Sequence, residues 1–263
     1  VHKIRVIVAI QIGSSVGSGC ANNKADVTKI QIALNTFPVG WGGPSPKLPV
    51  NGTSSAALIA AIENLQSWQY GWKDGKISPG GVTLQRINSM IASPERPGNP
   101  DAISIKWEVS FPFVGQVLSM GCWAATAAMM LCVRDHKQYQ LEEILTKADG
   151  GPAGTFRLAF LMDGGLKWEL HDKFTKALGL KREGLKSFPI STFASWLKYN
   201  PLGLTLVFSN KSHIVCLHGM KGDGTEYGTY GFGYDPMGKN FIYSWRTLRG
   251  QFELVDLKSI WRC

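Results

Sequence analysis

No stretch of the 263 residues approaches the roughly 18 consecutive apolar positions that a membrane-spanning helix requires, so no span is expected. Metal-binding patterns are missing as well. The five cysteines (Cys20, Cys122, Cys132, Cys216 and Cys263) form no C-x-x-C pair and no metal-ligand spacing, and neither a metal nor another cofactor is expected. Their odd number and wide scatter argue against a disulfide framework. Acid is in short supply, with 19 Asp+Glu against 28 Lys+Arg and a net charge of +9. The excess is diffuse: residues 1–96 hold 9 basic side chains against 4 acidic, and residues 97–263 hold 19 against 15. The absence of a basic block or basic–aromatic stripe argues against a nucleic-acid partner. A diffuse positive field keeps a protein soluble and would also suit an anionic polymer such as a bacterial wall. Val6 to Ile10, preceded by Lys3 and Arg5, is not followed by a neat small-residue cleavage site and reads as an edge strand rather than a signal-peptide remnant.

The length allows one large domain or two smaller ones, each with its own core. Ser93-Pro94-Glu95-Arg96-Pro97-Gly98-Asn99-Pro100 has three prolines in eight residues and no apolar period, which marks residues 93–102 as a linker. Before it, residues 1–92 carry three short helical patterns. Asp26 is placed as the N-cap of a helix through Asn35, with Val27, Ile30 and Leu34 on one face. Ser54 or Ser55 opens a second, with Leu58, Ile62, Leu65 and Trp68 turned inward. Thr83 caps a third. Together they predict a small three-helix bundle.

After the linker, residues 103–263 open with a strand-like alternation from Ile103 to Val109. A helix is expected to run from Cys122 to about Arg134. Leu141–Ala148, Thr155–Met162, His171–Leu178 and Thr192–Tyr199 also look helical, the last capped by Ser191. From Leu202 onward the segments turn short and β-rich: Leu202–Phe208, His213–Leu217, Tyr227–Tyr234 and Asn240–Trp245. Helices first and strands later predict an α+β domain, helical on one side and sheet on the other.

The stretch that organises this domain is Gly115 to Met130. Cys122 stands where a flexible Ser-Met-Gly approach meets an alanine-rich run of strong helix propensity. Unpaired N–H groups and the helix dipole favour a negative charge there, and the thiolate is the reactive form of cysteine. The plainer reading is a small buried hydrophobe, the usual fate of a free cysteine; Cys132, ten residues on, is of that kind. Three further residues raise Cys122 above it. Gln116 lies six positions upstream. His213 begins an apolar strand after a polar turn (Ser209–Ser212), with His218 as its nearest rival; His136 and His171 read as surface residues. Asp235 precedes Pro236-Met237-Gly238, with Asp223 as the alternative acid.

The order Gln116, Cys122, His213, Asp235, with the first two so close, resembles the papain-like cysteine peptidases. The flanking Cys122-Trp123-Ala124-Ala125 resembles a bacterial branch of that family, which often carries an N-terminal peptidoglycan-binding-like domain. Residues 12–92 are similar to such domains at Ser15-Val16-Gly17-Ser18-Gly19, at Asn23 through Asp26-Val27 to Leu34-Asn35, at Val50-Asn51-Gly52, at Ala61-Ile62 through Leu65-Gln66, and at Asp74-Gly75-Lys76-Ile77 to Pro79-Gly80-Gly81. They depart from them at Asn51-Gly52-Thr53-Ser54-Ser55, where the family usually has Asp-Gly followed by a second Gly and a Thr.

The resemblance implies a two-lobed fold with a central Cys-bearing helix packed on an antiparallel sheet. It implies Cys122 as nucleophile, His213 as base, Asp235 as the acid that orients the imidazole, and Gln116 with the Cys122 N–H as the oxyanion hole. The partner it implies is a protein or peptide substrate, with the bacterial cell wall as the competing target. It further suggests a secreted effector or toxin delivered to another cell, met there by an inhibitor or immunity protein. A catalytically silent binding protein built on the same shell is the alternative from another class.

Overall fold

The structure is a computed structural model that describes residues 9–93, 95, 98–99, 101–106, 113–183, 188–208, 211–248 and 260–262. The edge strand expected at Val6–Ile10, the end of the strand expected at Ile103–Val109, the start of the Ser209–Ser212 turn and Cys263 fall at least partly outside the described residues. The chain clusters into two compact units, Val1–Pro100 with Thr225–Gly228, and Asp101–Gly224 with Thr229–Cys263.

In the first unit, helices α1 (Lys24–Thr36), α2 (Ala56–Tyr70) and α3 (Val82–Ala92) enclose a core that includes Val27, Ile30, Leu34, Leu58, Ile62, Leu65 and Ile87. A two-residue ladder joins β1 (Val16–Gly17) to β2 (Lys76–Ile77). The loops are held by the same device twice. Gln31 Oε1 accepts from the N–H groups of Asn51 and Gly52, while its amide donates to Asn51 Oδ1 and the Thr53 carbonyl. Gln66 repeats this pattern on Asp74, Gly75 and Lys76. Gly52 and Gly75 both sit at positive φ (+72° and +68°), where a side chain is strained. The Asn at 51 thus holds the loop as Asp74 does, because the glutamine needs an oxygen acceptor there and not a charge.

Three expectations for this unit are corrected. Asn23, not Asp26, caps α1. Asp26 is buried in the first turn, and its carboxylate accepts from the N–H groups of Gly13 and Ser14 and from the Ser14 hydroxyl. Trp68 is only half-buried, and the inward positions beside Leu65 go to Gln66 and Gln69, which satisfy loop polar groups. Thr83 lies inside α3, whose N-cap is Gly81, and its hydroxyl accepts from Gln66.

The second unit is α+β. Its antiparallel sheet runs β4 (Lys181–Glu183), β9 (Ile260–Arg262), β5 (Leu202–Phe208), β6 (Lys211–Gly222), β7 (Thr229–Asp235), β8 (Lys239–Ser244), with β3 (Ile103–Lys106) also paired to β6. Ile214 and Cys216 of β6 join a core with α4 (Cys122–Asp135), α5 (Leu141–Asp149), α6 (Thr155–Leu161) and α7 (His171–Ala177). Val215 and Leu217 join another core with α8 (Ile190–Leu197). This is the alternation a strand covered on both faces must show. The register slips between Leu217 and Gly219, so the parity changes and Met220 follows Leu217 into the α8-side core.

Helix α4 is positioned by its small residues. Ala124, Ala125, Ala127 and Ala128 are fully buried, and the buried Thr126 hydroxyl donates to the Ile214 carbonyl of β6 at 3.0 Å. A direct bond from helix side chain to strand backbone requires close approach, which alanines permit. It also fixes α4 along β6, at the residue next to His213.

Candidate active site

Cys122 is the first residue of α4 and is 7% exposed. Its N-cap, Gly121, offers no side-chain hydrogen bond, so the first-turn N–H groups have no side-chain cap. A Cβ on Gly121 would lie 3.0 Å from the Phe160 ring, which shows how tightly α6 packs against this turn.

His213 stands near the start of β6 and Asp235 at the end of β7. The β6–β7 register pairs Cys216 with Tyr234, so the two strands bring His213 and the residue after Tyr234 to the same end of the sheet. His213 Nε2 lies 2.7 Å from Asp235 Oδ1, with both side chains mostly buried. A carboxylate only accepts, so Nε2 carries the proton. Nδ1 is then the ring nitrogen left to face Cys122, whose side chain is among the groups that raise the ring's pKa. Burial is the largest single influence on His213 and pushes its pKa down. The bond to Asp235 and the influence of the Asp235 and Cys122 side chains outweigh it and hold the ring at about 9. Asp235 is held in turn by its own hairpin, the Met237 N–H donating to Oδ1 at 2.8 Å.

Gln116 reaches the same place from the chain before α4. Its N–H donates to the Pro236 carbonyl at 2.9 Å, which ties its segment to the Asp235 turn. Its side-chain Nε2 donates to the Ser119 carbonyl at 2.9 Å, and Oε1 is buried with no partner among the described residues. The loop between Gln116 and Cys122 is held from outside by Asp163, which accepts from the Ser119 hydroxyl at 2.6 Å and the Met120 N–H at 2.9 Å. Sequence reasoning did not single out Asp163. It belongs to no motif, and its one local signal is the Gly164-Gly165 pair behind it.

The rival residues lie elsewhere. His218 sits at the register slip, its ring against Phe232 and Tyr234. Asp223 follows the far end of β6, ten residues from His213, or roughly 33 Å at strand rise. His136 is exposed at the C-cap of α4. His171 is not the surface residue expected from its charged neighbours. It is 4% exposed, its ring lies against Trp168 and Trp261, and burial depresses its pKa to about 4. Cys132 is the buried, inert type expected: its sulfur accepts from the Tyr139 N–H, and burial raises its pKa. Among the described residues no cluster of His, Cys, Asp and Glu could hold a metal, and no helix is long and apolar enough to cross a membrane.

Residues 104–241, a little over half of the chain, match the family described as papain-like cysteine protease AvrRpt2. No curated protein matches the chain.

Proposed function

From the premise that the chain belongs to the papain-like cysteine protease AvrRpt2 family, and is therefore a cysteine peptidase, we propose that Cys122, His213, Asp235 and Gln116 carry its hydrolysis of protein or peptide amide bonds. The supporting observation is the imidazole of His213, bonded to Asp235 at 2.7 Å and raised in pKa by Asp235 and Cys122 together.

In this reading the proton rests on His213 and Cys122 reacts as thiolate. The sulfur adds to the amide carbonyl carbon, and the carbonyl π pair moves onto oxygen. The oxyanion is held by the Cys122 N–H and by the Gln116 Nε2 hydrogen not given to Ser119. The tetrahedral intermediate collapses with cleavage of the C–N bond as His213 protonates the departing amine, leaving a thioester. His213, now neutral, takes a proton from water, and the resulting hydroxide displaces the sulfur to release the acid. Asp235 fixes the tautomer and stabilises the imidazolium throughout.

We further propose that the first unit is a peptidoglycan-binding-like domain and that the protein is a bacterial effector, secreted or delivered to another cell and opposed there by an inhibitor or immunity protein. The stretches from Ser15 to Gly81 support the domain, and the proposed delivery rests on it. Protein substrates rank ahead of wall stem peptides because Asn51-Gly52 departs from the usual Asp-Gly run. Incubation with a denatured protein library and, separately, with peptidoglycan sacculi decides the substrate. Cys122→Ala abolishes release of new termini in whichever reacts, and wild-type hydrolysis by that variant would end the assignment. Iodoacetamide at pH 6 separates enzyme from silent binding protein: Cys122 alkylates far faster than Cys20 only if its thiolate is poised.

A further inference from the structure

We propose that Asp163 is the positioning residue of the oxyanion hole, clasping the Ser119–Met120 turn so that the Ser119 carbonyl aims the Gln116 amide at the oxygen above Cys122. This rests on the oxyanion role of Gln116 given above.

Three observations carry it. Gln116 Oε1 has no partner among the described residues, so the bond from Nε2 to the Ser119 carbonyl is what orients the amide. A carbonyl accepts only from the NH2 end, so the bond turns nitrogen rather than oxygen toward its surroundings and leaves one N–H to donate. Ser119 itself is exposed and lies in a turn, where a peptide plane is easily rotated. Asp163 restrains that turn at two successive points with two different oxygens, Oδ2 on the Ser119 hydroxyl and Oδ1 on the Met120 N–H. A single bond would permit pivoting, whereas two bonds from one rigid carboxylate do not.

The third observation is backbone geometry. Asp163 has φ +49°, a conformation costly for side chains other than Asn and Asp. Its N–H is tied to the Phe160 carbonyl at 2.9 Å, and that of Gly164 to the Ala159 carbonyl at 2.8 Å. The clasp therefore stands on the closed C-terminal end of α6 and not on a free loop. Next to it, a Cβ on Gly165 would lie 2.9 Å from Met120 Cε, so the two turns are in close contact.

The left-handed backbone supplies clean variants. Asp163→Gly removes the clasp and suits the φ. Asp163→Asn keeps the φ and one acceptor. Ser119→Ala removes one bond and leaves the carbonyl. The full chain, labelled with 15N, reports the Gln116 side-chain amide, identified by its loss in Gln116→Ala; turnover is read on fluorescein-labelled casein. In Asp163→Gly the amide signals shift and exchange faster. The kcat falls about 10- to 100-fold, part of what losing an oxyanion donor outright costs, while KM stays within about twofold. Asp163→Asn and Ser119→Ala fall between. Iodoacetamide alkylation of Cys122, which forms no oxyanion, is unchanged. Unmoved amide signals overturn the proposal whatever the turnover does. Moved signals with full kcat overturn it by removing Gln116 from catalysis, which is a failure of the underlying reading and not of the clasp. An alkylation rate that falls in step with kcat overturns it by placing the damage at Cys122.

Discussion

Replacing Asp235 by alanine removes the carboxylate bonded to His213, and the effect should depend on pH in a defined way. The interval between the ordinary imidazole value of 6.5 and about 9 corresponds to roughly 3 kcal/mol of preference for the protonated ring. Asp235 supplies part of it against the opposing effect of burial, so the variant's His213 should titrate well below 9. At pH 8 a ring with pKa 9 is about nine-tenths protonated and one with pKa 6.5 about one-thirtieth. For a ring returned to 6.5 the loss of active form at pH 8 is about thirty-fold, and at pH 6 it nearly vanishes. Ring nitrogen shifts of His213 read the titration without a substrate, and the basic limb of the casein-hydrolysis profile should move with them. Asp235→Asn, which keeps an acceptor and loses the charge, should fall between. Because the folded pKa is raised, the contribution to stability is full below pH 6.5 and is lost as pH rises through about 9. The gap in unfolding free energy between wild type and Asp235→Ala therefore narrows toward pH 10. A variant whose ring still titrates near 9 would refute the reasoning. So would equal losses of activity at pH 6 and pH 8, which would make Asp235 merely structural.

Gln116→Ala should lose about 100- to 1000-fold in kcat on casein with little change in KM; a variant impaired only in KM would make Gln116 a binding group. His171 gives the opposite pH signature from His213. Its folded pKa lies near 4, below the unfolded value, so stability is intact above about pH 6.5 and up to about 3 kcal/mol is lost as pH falls to 4. Denaturant melts at pH 7 and pH 4.5 should show this, and His171→Phe should flatten the difference. Gln66→Ala strands the N–H groups of Asp74 and Gly75 and should cost about 2–5 kcal/mol, read as lost hydrogen-exchange protection at the Gly75 amide.

Much of the second unit was legible because its elements are long or regular. Leu202–Phe208 coincides with β5, and the alanine run from Cys122 announces α4 within a residue of its end. Short partners were not: β1, β2, β4 and β9 span two or three residues each, too few for any periodicity to register. Caps were misread where two polar residues compete. Asn23 and Asp26 both suit an N-cap, and only the positions of Gly13 and Ser14 decide that Asp26 serves another loop. His171 misled because its sequence neighbours are charged while its spatial neighbours, Trp168 and Trp261, are aromatic. At the candidate site, Gln116, Cys122, His213 and Asp235 could be named because their order and flanks resemble the papain-like peptidases, with Cys122 and Asp235 at element ends. Asp163 could not, since its partners lie more than forty positions away.

The bare start of α4 has a consequence for engineering. A serine or aspartate at the N-cap is the standard way to reinforce such a helix, but over glycine it gains only a few tenths of a kcal/mol. Here, however, its Cβ would lie 3.0 Å from the Phe160 ring, so the small gain is offset by crowding against α6. A search for heat-resistant variants is therefore better aimed away from position 121, where shape and not capping decides which residue fits.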